Sequence, residues 1–257
     1  MVLFRGDVKC KSLQRRTSIS VILPADNIHF LQDREEIVPQ PYKTLYLLHG
    51  LYGSDDIFLA NTSIQKFAED HGIAIVIPCG ENSFYLDNEK AHAYYGEYVG
   101  QELLDITRNI FPLSDRREDT FIAGFSMGGY GAIRNGLKYC DNFSKIGMIS
   151  SALITDDIVN YVSDDNVLRA RDFYESIFGD LSKVKGSDND PKYLIDNCEN
   201  IPDIFMACGV NDFLFEKNVD FYEFLQSRNI DAEFIQAPGE HTGEFCDRYI
   251  KEFIKTL

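Results

Sequence analysis

Ser126 stands in the run "FIAGFSMGGYGA" (residues 121–132), where Gly124, Ser126 and Gly128 spell GxSxG after an apolar stretch and before a Gly/Ala-rich one. A hydroxyl in that setting is a candidate nucleophile. A strand that turns abruptly into a helix forces its central residue into strained backbone angles and tolerates only neighbours without bulky side chains. Glycines on both sides follow from that. The same turn lifts the Ser126 hydroxyl clear of a sheet and aims the backbone N–H of Met127, at the start of the next helix, toward an oxyanion forming on an attacked carbon. A glycine-rich helix packed closely on a sheet would carry the same glycines without any chemistry, so the partners of Ser126 must be found.

A serine hydroxyl is a poor nucleophile until a base takes its proton. The chain has five histidines: His29, His49, His71, His92 and His241. In the α/β-hydrolase arrangement the order along the chain is nucleophile, acid, histidine, which leaves His241, in "APGEHTG" after the last strand candidate. The acid must leave an intervening strand at the same end of the sheet. Asp212 does so in "FMACGVND", just past Gly209, and its carboxylate would hold the imidazole in one tautomer and stabilise the imidazolium. Asp203 precedes that strand and Asp220 lies inside the following helix, whereas Asp156 and Asp157, after the preceding strand, remain the alternatives.

An oxyanion hole needs a second donor. In "LYLLHGLYGSDD" (residues 45–56) an apolar strand ends at His49-Gly50, and the HGxxG turn lets the Leu51 N–H face the same oxygen as that of Met127. His49 is expected to support this loop and to transfer no proton. Tyr52, Tyr85 and Tyr95 lie in or near loops on the active face, as do Phe58, Phe84 and Tyr94. The three tyrosines are the substrate-binding candidates, although ordinary packing would place aromatic residues there as well.

These groups need a scaffold with strand ends on one side. Short apolar runs at Ser18–Leu23, Thr44–Leu48, Ile73–Ile77, Thr120–Phe125, Ile146–Ser150, Ile204–Cys208 and Ala232–Gln236 suit strands buried on both faces. Helical periodicity follows at Thr62–His71 (closed by Gly72), Tyr94–Ile110, Met127–Tyr139, Phe213–Arg228 and Phe245–Ile254. Strands alternating with helices predict a doubly wound α/β fold: a mostly parallel central sheet with helices on both faces. The N-terminal strands, preceding any helix, are expected to pair antiparallel at one edge. The segment from Pro24 to Pro41 reads as a long surface hairpin connection. Residues 151–202 mix an amphipathic piece (Val167–Phe178) with turn-rich sequence, an insertion in what is otherwise one domain over 1–257.

At 257 residues the chain can bury a large core without staples, and 25 Lys and Arg against 41 Asp and Glu give a formal net charge of −16. That sign repels phosphate backbones and anionic lipid heads, so neither nucleic acid nor membrane is an expected partner. No apolar run has the length of a membrane span or of a signal peptide's core, and the expected location is cytoplasmic. Cys10, Cys79, Cys140, Cys198, Cys208 and Cys246 form no CxxC or Cys/His ligand pair, so no metal is expected and the thiols read as inert packing.

"LYLLHGLYGS", "IVIPCGENSFYLD", "YYGEYVGQELLDITRNIFPLSDRREDTFIAGFSMGGYGA", "CGVNDFLFEKN" and "APGEHTGEFCDRYIKEFI" together resemble the tributyrin esterase and esterase D-like group of α/β-hydrolases, which is related to feruloyl and acetylxylan esterases and S-formylglutathione hydrolases. The likeness runs from about Ser18 to the C-terminus. It implies Ser126 as nucleophile, Asp212 as acid, His241 as base, and Leu51 and Met127 as oxyanion donors, with no cofactor. It also implies that residues 151–202 act as a cap over an acyl pocket. The group commonly carries a tryptophan shortly after the histidine, whereas this chain reads Thr242-Gly243-Glu244-Phe245. The expected activity is hydrolysis of short-chain acyl esters, such as acetylated sugars, through an acyl-enzyme. A feruloyl or acetylxylan esterase, an S-formylglutathione-type thioesterase and a catalytically dead hydrolase-fold binding module stand as alternatives. Dimers and tetramers are familiar in the group, which leaves self-association open.

Overall fold

The computed structural model describes residues 1–25, 41–162 and 170–257. Most of the Pro24–Pro41 connection, His29 with it, and the first part of the Val167–Phe178 piece lie outside the described residues.

An eight-stranded sheet runs through the molecule. Its strands are β1 (Val2–Cys10), β2 (Arg15–Leu23), β3 (Thr44–Leu48), β4 (Ala74–Pro78), β7 (Thr120–Phe125), β8 (Lys145–Ile149), β9 (Asp203–Gly209) and β10 (Ala232–Ala237), in the spatial order β1-β2-β4-β3-β7-β8-β9-β10. The small strands β5 (Asp87–Asn88) and β6 (Ala93–Tyr94) pair separately. From β4 to β10 all neighbours are parallel, while β1 and β2 join antiparallel at one edge.

The apolar runs are continuous because both faces are covered. Along β3, Leu45 and Leu47 enter one core while Tyr46 and Leu48 enter the other; β4 divides Ile75 and Ile77 from Val76 in the same way. A side-chain period of two produces this alternation, and each such side chain fully removed from water contributes about 1.5–3 kcal/mol. One core is closed by α2 (Ile64–His71) and α9 (Gly243–Ile254), preceded in the chain by the short α1 (Ile57–Asn61). The other is closed by α5 (Met127–Lys138), α8 (Phe215–Ser227) and a helical stretch made of α3 (Tyr95–Glu97), a wide turn over Tyr98–Glu102 and α4 (Leu103–Ile110). α6 (Arg171–Phe178) and α7 (Pro191–Asn197) lie between β8 and β9 and pack on that same side.

Three differences from the sequence-based expectation are found. The Pro24–Pro41 segment does not join a hairpin, since β4 lies between β2 and β3 and takes the antiparallel pairing with β2. The other two have local causes. β1 has exposed residues along most of its length, so its run "VLFRGDVKC" lacks the apolar signature of the buried strands. The Tyr94–Ile110 helix is interrupted by a turn in which the Leu103 N–H bonds to Tyr98 O, five residues back. Asn142 Nδ2 donates to the Gly100 carbonyl there at 2.8 Å, a side chain inserted into the helix ladder.

Candidate active site

Parallel strands end on one side, and four loops leave that side: the one after β3 carries Gly50 and Leu51, the one after β7 carries Ser126, the one after β9 carries Asp212 and the one after β10 carries His241. This is the end at which open α/β sheets hold ligands.

Ser126 occupies φ 58°, ψ −117°, a costly conformation for a residue with a side chain. Contacts on both sides hold it there: its N–H donates to Ile149 O at 3.0 Å and its carbonyl accepts from Ala152 N–H at 3.0 Å and Tyr130 N–H at 3.1 Å. The flanking glycines serve close approach. A Cβ on Gly124 would overlap the backbone carbonyl of Gly128, and one on Gly128 would overlap that of Leu48. Any larger residue would push α5 off the sheet end and carry Ser126 with it.

His241 Nε2 lies 3.0 Å from Ser126 Oγ, and its Nδ1 lies 2.8 Å from Asp212 Oδ2. A carboxylate only accepts, so Nδ1 carries the hydrogen and the Nε2 lone pair faces the serine hydroxyl. The other Asp212 oxygen, Oδ1, accepts the Leu214 N–H at 2.8 Å. Burial by itself would raise the Asp212 carboxyl, but its hydrogen bonds to His241 and the Leu214 N–H outweigh that and hold it below the ordinary carboxylate range. The loops that carry Asp212 and His241 are joined directly: Val210 N–H donates to Ala237 O at 2.9 Å and Asn211 N–H to Gly239 O at 3.0 Å. The imidazole also packs against Phe125 and Phe213, with ring centroids 4.6 and 4.7 Å away.

The alternative acids are engaged elsewhere. Asp156 accepts from Lys185 Nζ at 2.7 Å and Lys192 Nζ at 2.5 Å, and Asp157 pairs with Lys217.

His49 is buried and holds two loops together. Its Nε2 accepts the Gly80 N–H at 2.8 Å, which leaves Nδ1 as the donor to Gly50 O at 2.7 Å. Burial, against the hydrogen bond to Gly50 O, depresses its pKa, so the ring is neutral. The turn it supports sits against the elbow, since a Cβ on Gly50 would lie 3.3 Å from that of Ser126. Met127 is the first residue of α5, buried beside Ser126.

Two cavities meet at Ser126. The first, about 690 Å³, is walled by Phe84, Ala152, Ile154, Tyr161, Tyr174 and the Asp157–Lys217 pair, among others. The second, about 760 Å³, is walled by Tyr52, Phe58, Phe125, His241, Thr242 and Glu244, among others. Leu51, Ser126 and Phe213 line both. Tyr52 therefore reaches the site, but Tyr85 and Tyr95 do not. Tyr85 is 0 % exposed and donates its hydroxyl to His49 O at 3.0 Å, which makes it a strut beneath the His49 loop. Tyr95 is buried under the β1–β2 edge, where its hydroxyl meets Arg15. Sequence reasoning missed Phe213, Tyr174 and Ile154. Phe213 was findable as the residue after Asp212; Tyr174 lies in the amphipathic Val167–Phe178 piece, whose periodicity marks a buried face but not what it faces, and Ile154 lies in a loop without a periodic signature.

The protein-family model described as "Putative esterase" matches residues 10–245, nearly the whole chain. The chain belongs to the Esterase family. An acetyl esterase of Caldicellulosiruptor saccharolyticus is 40% identical over 255 residues, 97% of this chain and 96% of that one. Among solved structures, the fluorophosphonate-binding serine hydrolase F (FphF) of Staphylococcus aureus matches with a TM-score of 0.86 and 34% identity, covering 99% of this chain and 97% of that chain. S-formylglutathione hydrolase (FrmB) of the same organism matches with a TM-score of 0.84 and 34% identity, covering 99% and 98%. The protein is thus a serine hydrolase acting on carboxylic esters, with the α/β-hydrolase sheet. No helix among the described residues of this esterase is long and apolar enough to cross a membrane.

Proposed function

We propose that the esterase hydrolyses short-chain acyl esters with Ser126 as nucleophile, His241 as base and Asp212 as the acid that orients it. The observation that carries this reading is the unbroken path from Asp212 Oδ2 through the imidazole to Ser126 Oγ, at 2.8 and 3.0 Å, at the junction of two cavities. Ser126 Oγ attacks the ester carbonyl as its proton passes to His241 Nε2. The resulting alkoxide is held by the N–H groups of Leu51 and Met127. The carbon–alkoxy bond breaks as His241 returns the proton to the departing oxygen, and water then repeats the sequence on the acyl-enzyme.

Proton return also orients the substrate. The departing oxygen has to lie within reach of His241 Nε2, so the alcohol half occupies the cavity that His241 lines and the acyl half occupies the other. In the acyl cavity, Phe84, Ile154 and Tyr174 offer apolar contact, while the Asp157–Lys217 pair opposes a long chain, because covering it strips water from two charges. Much of this wall comes from residues 151–162 and 170–178, which act as the cap of the pocket. The alcohol cavity is far larger than a methanol or ethanol leaving group requires and accepts a sugar.

The likeness to S-formylglutathione hydrolase supports a second reading, in which the leaving group is a thiol of comparable bulk. Comparing turnover of S-formylglutathione with that of p-nitrophenyl acetate separates the two. The main reading is tested by fluorophosphonate labelling with peptide mapping and by an acyl-length panel of p-nitrophenyl esters. Label on Ser126, a loss of about 10⁶-fold in Ser126→Ala and a preference for acetate or butyrate are expected. Label on another serine, or undiminished turnover by Ser126→Ala, would overturn it.

A further inference from the structure

We infer that Phe213 is the specificity-determining partition of this enzyme, a fixed aromatic wall that separates the acyl half of the ester from its alcohol half. The inference rests on the triad reading above and extends it to how the two cavities are kept apart.

Three residues line both cavities, and two of them, Leu51 and Ser126, lie at the reacting carbonyl. Phe213 is the third, and it has no part in the bond changes. The residue is 65% exposed although its chain neighbours Asp212 and Leu214 are both buried. The turn explains this exposure. Asp212 Oδ1 accepts the Leu214 N–H at 2.8 Å and the Asp212 carbonyl accepts the Phe215 N–H at 2.9 Å, which pins the residues around Phe213 while its side chain points outward.

The outward ring is not loose. It rests on the His241 imidazole at a centroid distance of 4.7 Å and an interplanar angle of 51°, within the range of favourable aromatic contact. The imidazole is itself held by Asp212 and stacked on Phe125 at 28°. The wall is therefore anchored to the catalytic base and stands where acyl and alkoxy groups diverge.

The surrounding surface points to a ligand. Among the described residues the three most exposed large apolar side chains are Tyr52 at 72%, Val162 at 65% and Phe213 at 65%. Tyr52 lines the alcohol cavity, Val162 the acyl cavity and Phe213 both. Apolar groups left in water and gathered at one mouth mark a binding rim rather than unrelated surface. An ester seated at Ser126 covers Phe213 on both sides, so the ring limits how wide each half can be near the carbonyl.

The test measures kcat and KM for wild type, Phe213→Ala, Phe213→Leu and Phe213→Tyr on two series. One varies the acyl chain from acetate to octanoate with p-nitrophenol as leaving group. The other varies the alcohol from methyl to naphthyl with acetate as the acyl group. Phe213→Ala merges the cavities, and its kcat/KM ratio for the bulky over the small ester is expected to rise by about tenfold or more in at least one series. Phe213→Leu should give an intermediate shift, and Phe213→Tyr, which keeps the ring, should restore the wild-type ratio. Unchanged ratios in both series for Phe213→Ala would overturn the inference, whether or not kcat falls. Ser126→Ala is run alongside. If it is inactive while Phe213→Ala keeps wild-type preference, the partition alone fails; if it is active, the triad reading fails.

Discussion

Asp212 and His241 meet at 2.8 Å across 29 residues of sequence, and the loops that carry them are joined by two backbone hydrogen bonds before the side chains touch. The pair is thus preorganised by main chain as well as by its own contact. Asp212→Asn keeps the size of the side chain but replaces an oxygen that accepts with an amide that can donate, so Nδ1 no longer holds its hydrogen reliably. A fall in kcat of about 10⁴-fold with little change in melting temperature is expected. Steady-state kinetics beside a thermal melt checks it; a loss below tenfold would argue against Asp212 as the orienting acid.

At Gly128 α5 lies directly against the end of β3, and Gly128→Ala would drive a methyl group into Leu48 O, a backbone atom that cannot swing aside. We expect a destabilisation of about 1–3 kcal/mol from overpacking, read as a lowered urea midpoint, together with lost turnover as the strained Ser126 relaxes. An equally stable and active Gly128→Ala would mean that the elbow tolerates displacement.

His49 sets a pH dependence of stability. Its folded pKa is lowered from 6.5, so on acidification the unfolded chain takes up the proton first. The stabilisation is complete above the unfolded value of 6.5 and is lost as pH falls through the depressed folded pKa. Urea midpoints of wild type should therefore drop between pH 7.5 and 5 by more than those of His49→Gln, which cannot titrate. At pH 7.5 the variant itself should be about 1–3 kcal/mol less stable, because the Gly80 N–H loses a well-placed acceptor.

The Asp157–Lys217 pair should act as a length gauge for the acyl group. Replacing both charges together, Asp157→Asn with Lys217→Met, removes the desolvation cost without leaving one charge unpaired. The double variant is expected to raise kcat/KM for octanoate relative to acetate by roughly tenfold. An unaltered acyl-length profile would place the end of the chain elsewhere.

The candidate constellation was legible at Ser126, Leu51 and Asp212 because each follows a strand with a strong local signature, whereas His241 follows the half-exposed edge strand β10 and was reached by its order along the chain. "TFIAGF", "TLYLL" and "DIFMACG" are apolar on both faces, and what comes directly after such a run in a parallel sheet emerges at one end. β1 escaped notice because an edge strand facing water on most of its length alternates no more clearly than a loop does. The aromatic candidates illustrate the same limit at the site. Tyr52 and Tyr85 both occupy left-handed backbone in glycine-containing turns, at φ 63° and 56°. Yet Tyr52 ends in the cavity that His241 lines and Tyr85 under the His49 loop.

By itself, then, the amino-acid sequence determined the fold class, the strand ends after which Ser126 and Asp212 emerge, and the glycines that let α5 meet the sheet, because these depend on local backbone sterics and on apolar periodicity. Only the tertiary structure decided that Lys217 engages Asp157 while His241 engages Asp212, that Tyr85 turns inward, and that Phe213 stands between two cavities. Those outcomes follow from which loops pack side by side at the sheet end, and such contacts between distant residues leave no periodic trace along the chain.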